Sequence, residues 1–168
     1  MTSYAVRQSS TPYKNRIVTL AFSSMVAMLS SCATSSPPGC SDDEVLQLVN
    51  DLSIEVAANA IVPIIIAQLT RTSPSVWGNP DYAALKRRAA NPDNAQAQAV
   101  LAKVDEAISH VRFTFQGVRT DRLDEQTLKS WCSVEVTGYA NEKLQGTDQL
   151  SYTAQYTDDG QIYVEIQP

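Results

Sequence analysis

At Val111 the apolar residues of this chain change their spacing, and that change limits the fold more than any other feature. Upstream, Val45, Leu48, Val49, Leu52 and Val56 recur three or four apart, as do Val100, Leu101, Val104 and Ile108. That period marks one face of an α-helix. Downstream the period is two. "VRFTFQGV" sets Val111, Phe113 and Phe115 against Arg112, Thr114 and Gln116, and "SWCSVEVTGY" puts Cys132, Val134 and Val136 on one side. "DQLSYTAQY" does the same through Leu150, Tyr152, Ala154 and Tyr156, and "QIYVEI" through Ile162, Val164 and Ile166. Successive side chains of a strand point to opposite faces, so each run has one dry and one wet side. Helices followed by strands predict an α+β fold, with N-terminal helices packed on one face of a four-stranded antiparallel sheet. Asp158-Asp159-Gly160 is a hairpin turn between the last two strands, and "ANEKLQGT" reads as the loop joining the second and third.

The helices have their own punctuation. Ser41 followed by Glu44 forms a capping box for the first, with Asp42 and Asp43 suited to its dipole. "AANAIVPIIIAQL" then runs from Ala57 to Leu69, where Pro63 is expected to kink or restart the helix. Its apolar character on all sides suits burial inside the fold; the other reading is a surface for a partner or lipid. "TRTSPSVWGNP" is a loop. Asn79-Pro80-Asp81 begins a short second helix with Pro80 at its first position, and Asn91-Pro92-Asp93 begins a third that ends near Ser109.

The first 31 residues are of a different kind. They hold Arg7, Lys14 and Arg16 and no acid, then the apolar run "IVTLAFSSMVAML" from Ile17 to Leu29, then Ser30 and Ser31. Basic start, apolar run and small residues in that order read as a secretory signal. The run is shorter than the roughly 20 residues of a permanent span. Leu29-Ser30-Ser31-Cys32 resembles a bacterial lipobox. The resemblance implies a lipoprotein in which residues 1–31 are removed and Cys32, carrying palmitate-type acyl chains, becomes the N-terminus. Residues 32–39 are then a Ser/Pro linker and residues 40–168 the folded domain. Two or three acyl chains hold a protein stably on a bilayer where one does not. Ala33, rather than Asp, follows the cysteine. By analogy with enteric lipoproteins this implies the outer membrane, facing the periplasm.

Lipidation of Cys32 leaves two of three cysteines, Cys40 and Cys132, in an oxidising compartment, where a pair is expected to bond. A bridge over so long a loop contributes about 4 kcal/mol in the chain-entropy model.

Charge and motif bear on function mainly by exclusion. Three of the thirteen basic residues lie before Cys32, leaving ten against eighteen acids, a net charge of −8. An acidic domain is ill suited to neutralising phosphates, so nucleic acid is not an expected partner. His110 is the single histidine, no serine sits in a G-x-S-x-G elbow, and no free His/Cys set provides zinc ligands. No metal, cofactor or catalytic residue is therefore expected, and the chain reads as a non-enzyme. The carboxylate pair Asp124/Glu125 remains the best placed for hydrolytic chemistry. Lys86-Arg87-Arg88 is the one compact basic run, either a solvated helix face or a contact with anionic groups.

Arg112, Arg119 and Arg122 fall along the first strand, and Tyr139 and Tyr163 on later ones. Arg112, Arg119, Tyr139 and Tyr163 are candidates for a partner surface on the wet sheet face. Those residue types carry much of the energy in protein recognition, and they also suit an ordinary wet sheet. The expected function is a non-catalytic protein-binding module of the envelope, such as an inhibitor or immunity-type protein. The alternative is a structural accessory of an envelope secretion or transport complex. The second half also resembles small exported helix-plus-four-strand domains such as cystatin-like folds, and that resemblance implies no site residues.

Overall fold

Two cores share one long helix. The computed structural model describes residues 4–5 and 36–167. Its elements are β1 (Tyr4–Ala5), α1 (Asp43–Thr70), a 3-10 turn (Pro74–Trp77), α2 (Tyr82–Ala89), α3 (Ala95–Ile108), β2 (Val111–Asp124), β3 (Lys129–Ala140), β4 (Lys143–Tyr156) and β5 (Ile162–Gln167). Four long strands form an antiparallel sheet in the order β5-β4-β3-β2, and β1 adds two residues to the outer edge of β5. The fold is α+β, as the change of period predicts.

The N-terminal half of α1 lies on the sheet. Val45, Leu48, Val49 and Leu52 pack with Cys132, Val134, Tyr152, Ala154 and Val164, all but fully buried. The register puts Cys132 opposite Tyr152 and Ala154 opposite Val164, so the alternating apolar residues share one face. The C-terminal half leaves the sheet. Ala58, Val62 and Ile66 instead meet Tyr82 and Leu85 of α2 and Ala97, Val100 and Val104 of α3. Thus α1 is the helix applied to the sheet, and α2 and α3 are held mainly on α1.

The Cys40–Cys132 disulfide forms, with Cα atoms 5.7 Å apart and 92 residues between them in sequence. It pins the entry of α1 to the middle of the sheet. Two hydrogen bonds reinforce it. The Tyr152 hydroxyl donates to the Cys40 carbonyl at 2.6 Å, and the buried Ser130 hydroxyl to the Pro38 carbonyl at 2.6 Å. The expected linker 32–39 therefore has its last residues, Pro38 and Gly39, tied into the domain. Cys32 and the greater part of 1–31 lie outside the described residues.

Several local expectations need correction. α1 runs unbroken through Pro63. An interior proline costs about 3 kcal/mol relative to alanine, and here its neighbours Val62 and Ile66, both fully buried, hold the helix together. The capping box does not form. Asp42 is the N-cap, and its carboxylate accepts from the Gly39 amide at 2.7 Å rather than from the helix. Pro80 precedes α2, whose cap is Asp81 accepting from the Ala84 amide, and α3 starts after Asn94, which accepts from Ala97. "ANEKLQGT" is no loop. Only Asn141 and Glu142 turn, at φ 49 and 62, and β4 begins at Lys143. Positive φ at both central residues is the geometry of a tight type I′ hairpin.

Candidate functional site

Among the described residues no helix lies on the sheet face away from α1. Register places Arg112 beside Tyr139, Arg119 beside Ser133, Arg122 beside Trp131, and Gln155 between Lys129 and Tyr163. All four residues expected to form a partner surface are on this face, but they do not form one patch. Tyr139 and Trp131 stand eight positions apart on β3, about 26 Å along a strand.

At one pole the Arg112 guanidinium stands 4.8 Å from the centre of the Tyr139 ring. The same guanidinium donates to the Glu142 carboxylate at 3.0 Å. The tight turn holds Glu142 where the pair can form. Both side chains are more than half exposed, so the pair is worth at most about 1 kcal/mol.

At the other pole is a cluster that the sequence reading leaves largely unassigned. Arg122 lies 4.3 Å over the Trp131 ring, and the Lys129 ammonium lies 5.4 Å from it. Thr153, between Trp131 and Glu165 in the same cross-strand row, is buried although no described helix covers this face. Tyr163 stands in the adjoining row, and burial and the nearby Glu165 raise its phenol above the usual range. Trp131 was legible in principle: it alternates out of phase with Cys132 and Val134, which places it outward.

Between the poles the face is hydroxyl and amide. Thr137 and Thr147 bond across strands at 2.9 Å, the Ser133 hydroxyl donates to Asp121 at 3.1 Å, and Arg119 reaches Gln149 at 3.5 Å. Arg119 therefore belongs to neither pole.

Elsewhere the groups that could carry chemistry have structural duties. Asp124 accepts from the Gln126 and Thr127 amides in the β2–β3 turn, which lowers its carboxyl below the usual range, while Glu125 is exposed. Asp124 is thereby committed to the turn. His110 is exposed at the α3–β2 junction, where its carbonyl accepts from the Asn141 amide at 3.1 Å. Lys86 is not wholly solvated: its ammonium lies 4.0 Å from the Tyr82 ring, beside a cavity of about 390 Å³ that Asp51 and Glu55 also line. The Tyr82 hydroxyl donates to Asp105 at 2.6 Å, and burial, then that carboxylate, pushes its phenol up. Among the described residues no group of three or more His, Cys, Asp or Glu is placed to hold a metal.

The underside differs. Where α1 parts from the sheet, a cavity of about 280 Å³ is lined by Val56, Ala60, Phe113, Val136, Leu150 and Ile166. Ser53 is its one polar side chain, and that hydroxyl donates to the Val49 carbonyl. On the same side of α1, Ile64 is 55% exposed. Part of α1 is long and apolar enough to cross a membrane by composition, with 22% of that stretch buried in the domain. Val62 and Ile66 within it form core, so the stretch is neither wholly buried nor wholly open.

No family model, no curated protein and no solved structure matches this chain.

Proposed function

We propose that this chain is a lipid-anchored, non-catalytic protein-binding module of the bacterial envelope, held at Cys32 on the outer membrane and facing the periplasm. The observation that carries the reading is the outer sheet face, on which no described helix lies, with Trp131, Arg122, Lys129 and Tyr163 at one pole and Arg112 and Tyr139 at the other. Tryptophan, tyrosine and arginine recur as binding hot spots because each adds large contact area and a polar handle. The stapled sheet beneath them is a rigid mounting, so little ordering is needed when a partner docks. An inhibitor or immunity-type role fits a small acidic domain of this kind, with a basic envelope protein or toxin as the partner.

The geometry also suits a short tether. Cys32 is six residues from Pro38, where the fold begins to hold the chain, a reach of at most about 20 Å. Ser130 and Trp131 lie at that tethered end.

The test is cross-linking in cells that express the full chain, with a photoreactive residue at Lys129 and, separately, at Tyr139. A single envelope protein captured at defined stoichiometry, and lost in Trp131→Ala with Arg122→Ala while the melting temperature holds, supports the reading. Capture that survives loss of both poles would refute it. Migration of the captured species within a multi-subunit assembly would favour the accessory role in a secretion or transport complex.

A further inference from the structure

The two edges of the sheet are built differently. β2 breaks register between Gln116 and Arg119 and again between Thr120 and Arg122, with Gly117 at φ +63. It also carries Arg112, Arg119, Asp121, Arg122 and Asp124. Bulges and charges are the usual means of keeping a foreign strand off an edge. β5 has neither defence. It pairs with β4 in unbroken register from Ile162 to Gln167, holds no proline or basic residue, and has one charge, Glu165. Among the described residues, its outer side is paired only with β1, Tyr4 opposite Ile166 and Ala5 opposite Glu165.

The apolar cavity reaches this edge. Ile166 lines it, together with Val56 and Ala60 of α1. A strand laid along β5 thus meets free backbone donors and acceptors, and every second side chain falls on the α1 side beside an apolar wall. Backbone pairing with pockets for alternate side chains is the recognition mode of strand addition.

We propose that the open edge of β5 is a strand-addition site for an extended segment of a partner protein. That segment is apolar at the positions facing α1 and basic opposite Glu165. The chain's own Tyr4–Ala5 occupies the place until residues 1–31 are removed. The proposal deepens the protein-binding reading and rests on residues 1–31 being a removable leader. The net charge of −8 without that leader favours a basic segment.

The test uses protein purified from membranes and a synthetic peptide, MTSYAVRQS, copying residues 1–9. The register of β1 sets Tyr4 of the peptide opposite Ile166 and Ala5 opposite Glu165. Amide hydrogen exchange is read in β5 and β2. Saturable slowing of β5 exchange by about tenfold, with β2 unchanged and with no effect from the same peptide N-methylated at Tyr4, whose amide faces Ile166, supports the site. Absence of slowing, slowing by the N-methylated peptide, or protection of β2 instead overturns it. Intact mass of the same preparation tests the leader separately. If Met1 is retained, the leader reading fails on its own. In that chain Tyr4→Pro, which removes the amide facing Ile166, must then speed β5 exchange, and unchanged exchange overturns the site.

Discussion

The two halves of α1 serve cores held together in different ways. The sheet-side core is closed by ties that are distant in sequence: the Cys40–Cys132 bridge and the Ser130–Pro38 bond span 92 residues, and Tyr152–Cys40 spans 112. The helical core depends on packing and on ties of 23 residues, where Asn59 accepts from the Tyr82 amide and Asp105 from the Tyr82 hydroxyl. Closing a long loop costs the unfolded chain more entropy than closing a short one. The covalent staple sits where the entropic need is greatest, at the end nearest the proposed anchor. The helical lobe, lacking such a staple, should open first.

The largest effect expected is at the staple. Cys40→Ser with Cys132→Ser should cost about 4–5 kcal/mol, read as a shift in the urea midpoint, while local packing of α2 and α3 on α1 persists longest. A cost below about 1 kcal/mol would erase the contrast between the cores. Next is Ile66→Ala, which removes a fully buried side chain from the helical core and should cost about 2–5 kcal/mol. Amide exchange should then rise in α2 and α3 well before β3 and β4; equal rises would mean the two cores open as one.

Tyr152→Phe comes third. It leaves the Cys40 carbonyl without its buried donor, and about 1–3 kcal/mol should be lost. A pH series sharpens the same point. Burial pushes the Tyr152 phenol up to about 12, above the ordinary value near 10. The folded state therefore keeps this proton where the unfolded state releases it. The stability from Tyr152 is complete below pH 10 and is lost as pH rises through 12. Tyr82 titrates with the same sign in the other core, so the Tyr152→Phe protein should retain part of the alkaline loss and not all of it. The smallest effect is expected at the exposed pole. Arg112→Ala should change stability by less than about 1 kcal/mol despite its contacts with Glu142 and Tyr139.

The fold class was readable because burial imposes period. Val45 to Leu52 recur at the helical period and Cys132 to Val136 at the strand period, so each run shows its own geometry. The misread pieces are those where burial is partial or mixed. Lys143 to Gln149 extend beyond the cover of α1 and are exposed on both faces, so no alternation marks them as a strand; the backbone ladder with β3 and the Asn141–Glu142 turn hold them. Pro63 suggested a break because local propensity was weighed without the tertiary contacts of Val62 and Ile66. That α2 and α3 would sit on α1 was invisible, since an apolar stripe does not name its partner. At the candidate site, alternation alone puts Arg112, Tyr139 and Tyr163 on the correct face, whereas Arg119, in phase with the inward Phe113 and Phe115, reaches it only through the register break after Gln116. Their separation into poles depends on register, and register follows from turns that the sequence marks weakly.

Mass spectrometry of the intact protein extracted from membranes, with and without thiol alkylation, bears most directly on the whole reading. The expected species begins at Cys32, carries fatty acyl groups there, and takes up no alkylating reagent until Cys40 and Cys132 are reduced. A polypeptide that still begins at Met1 without acyl mass, or one whose Cys40 and Cys132 alkylate without reduction, would contradict it.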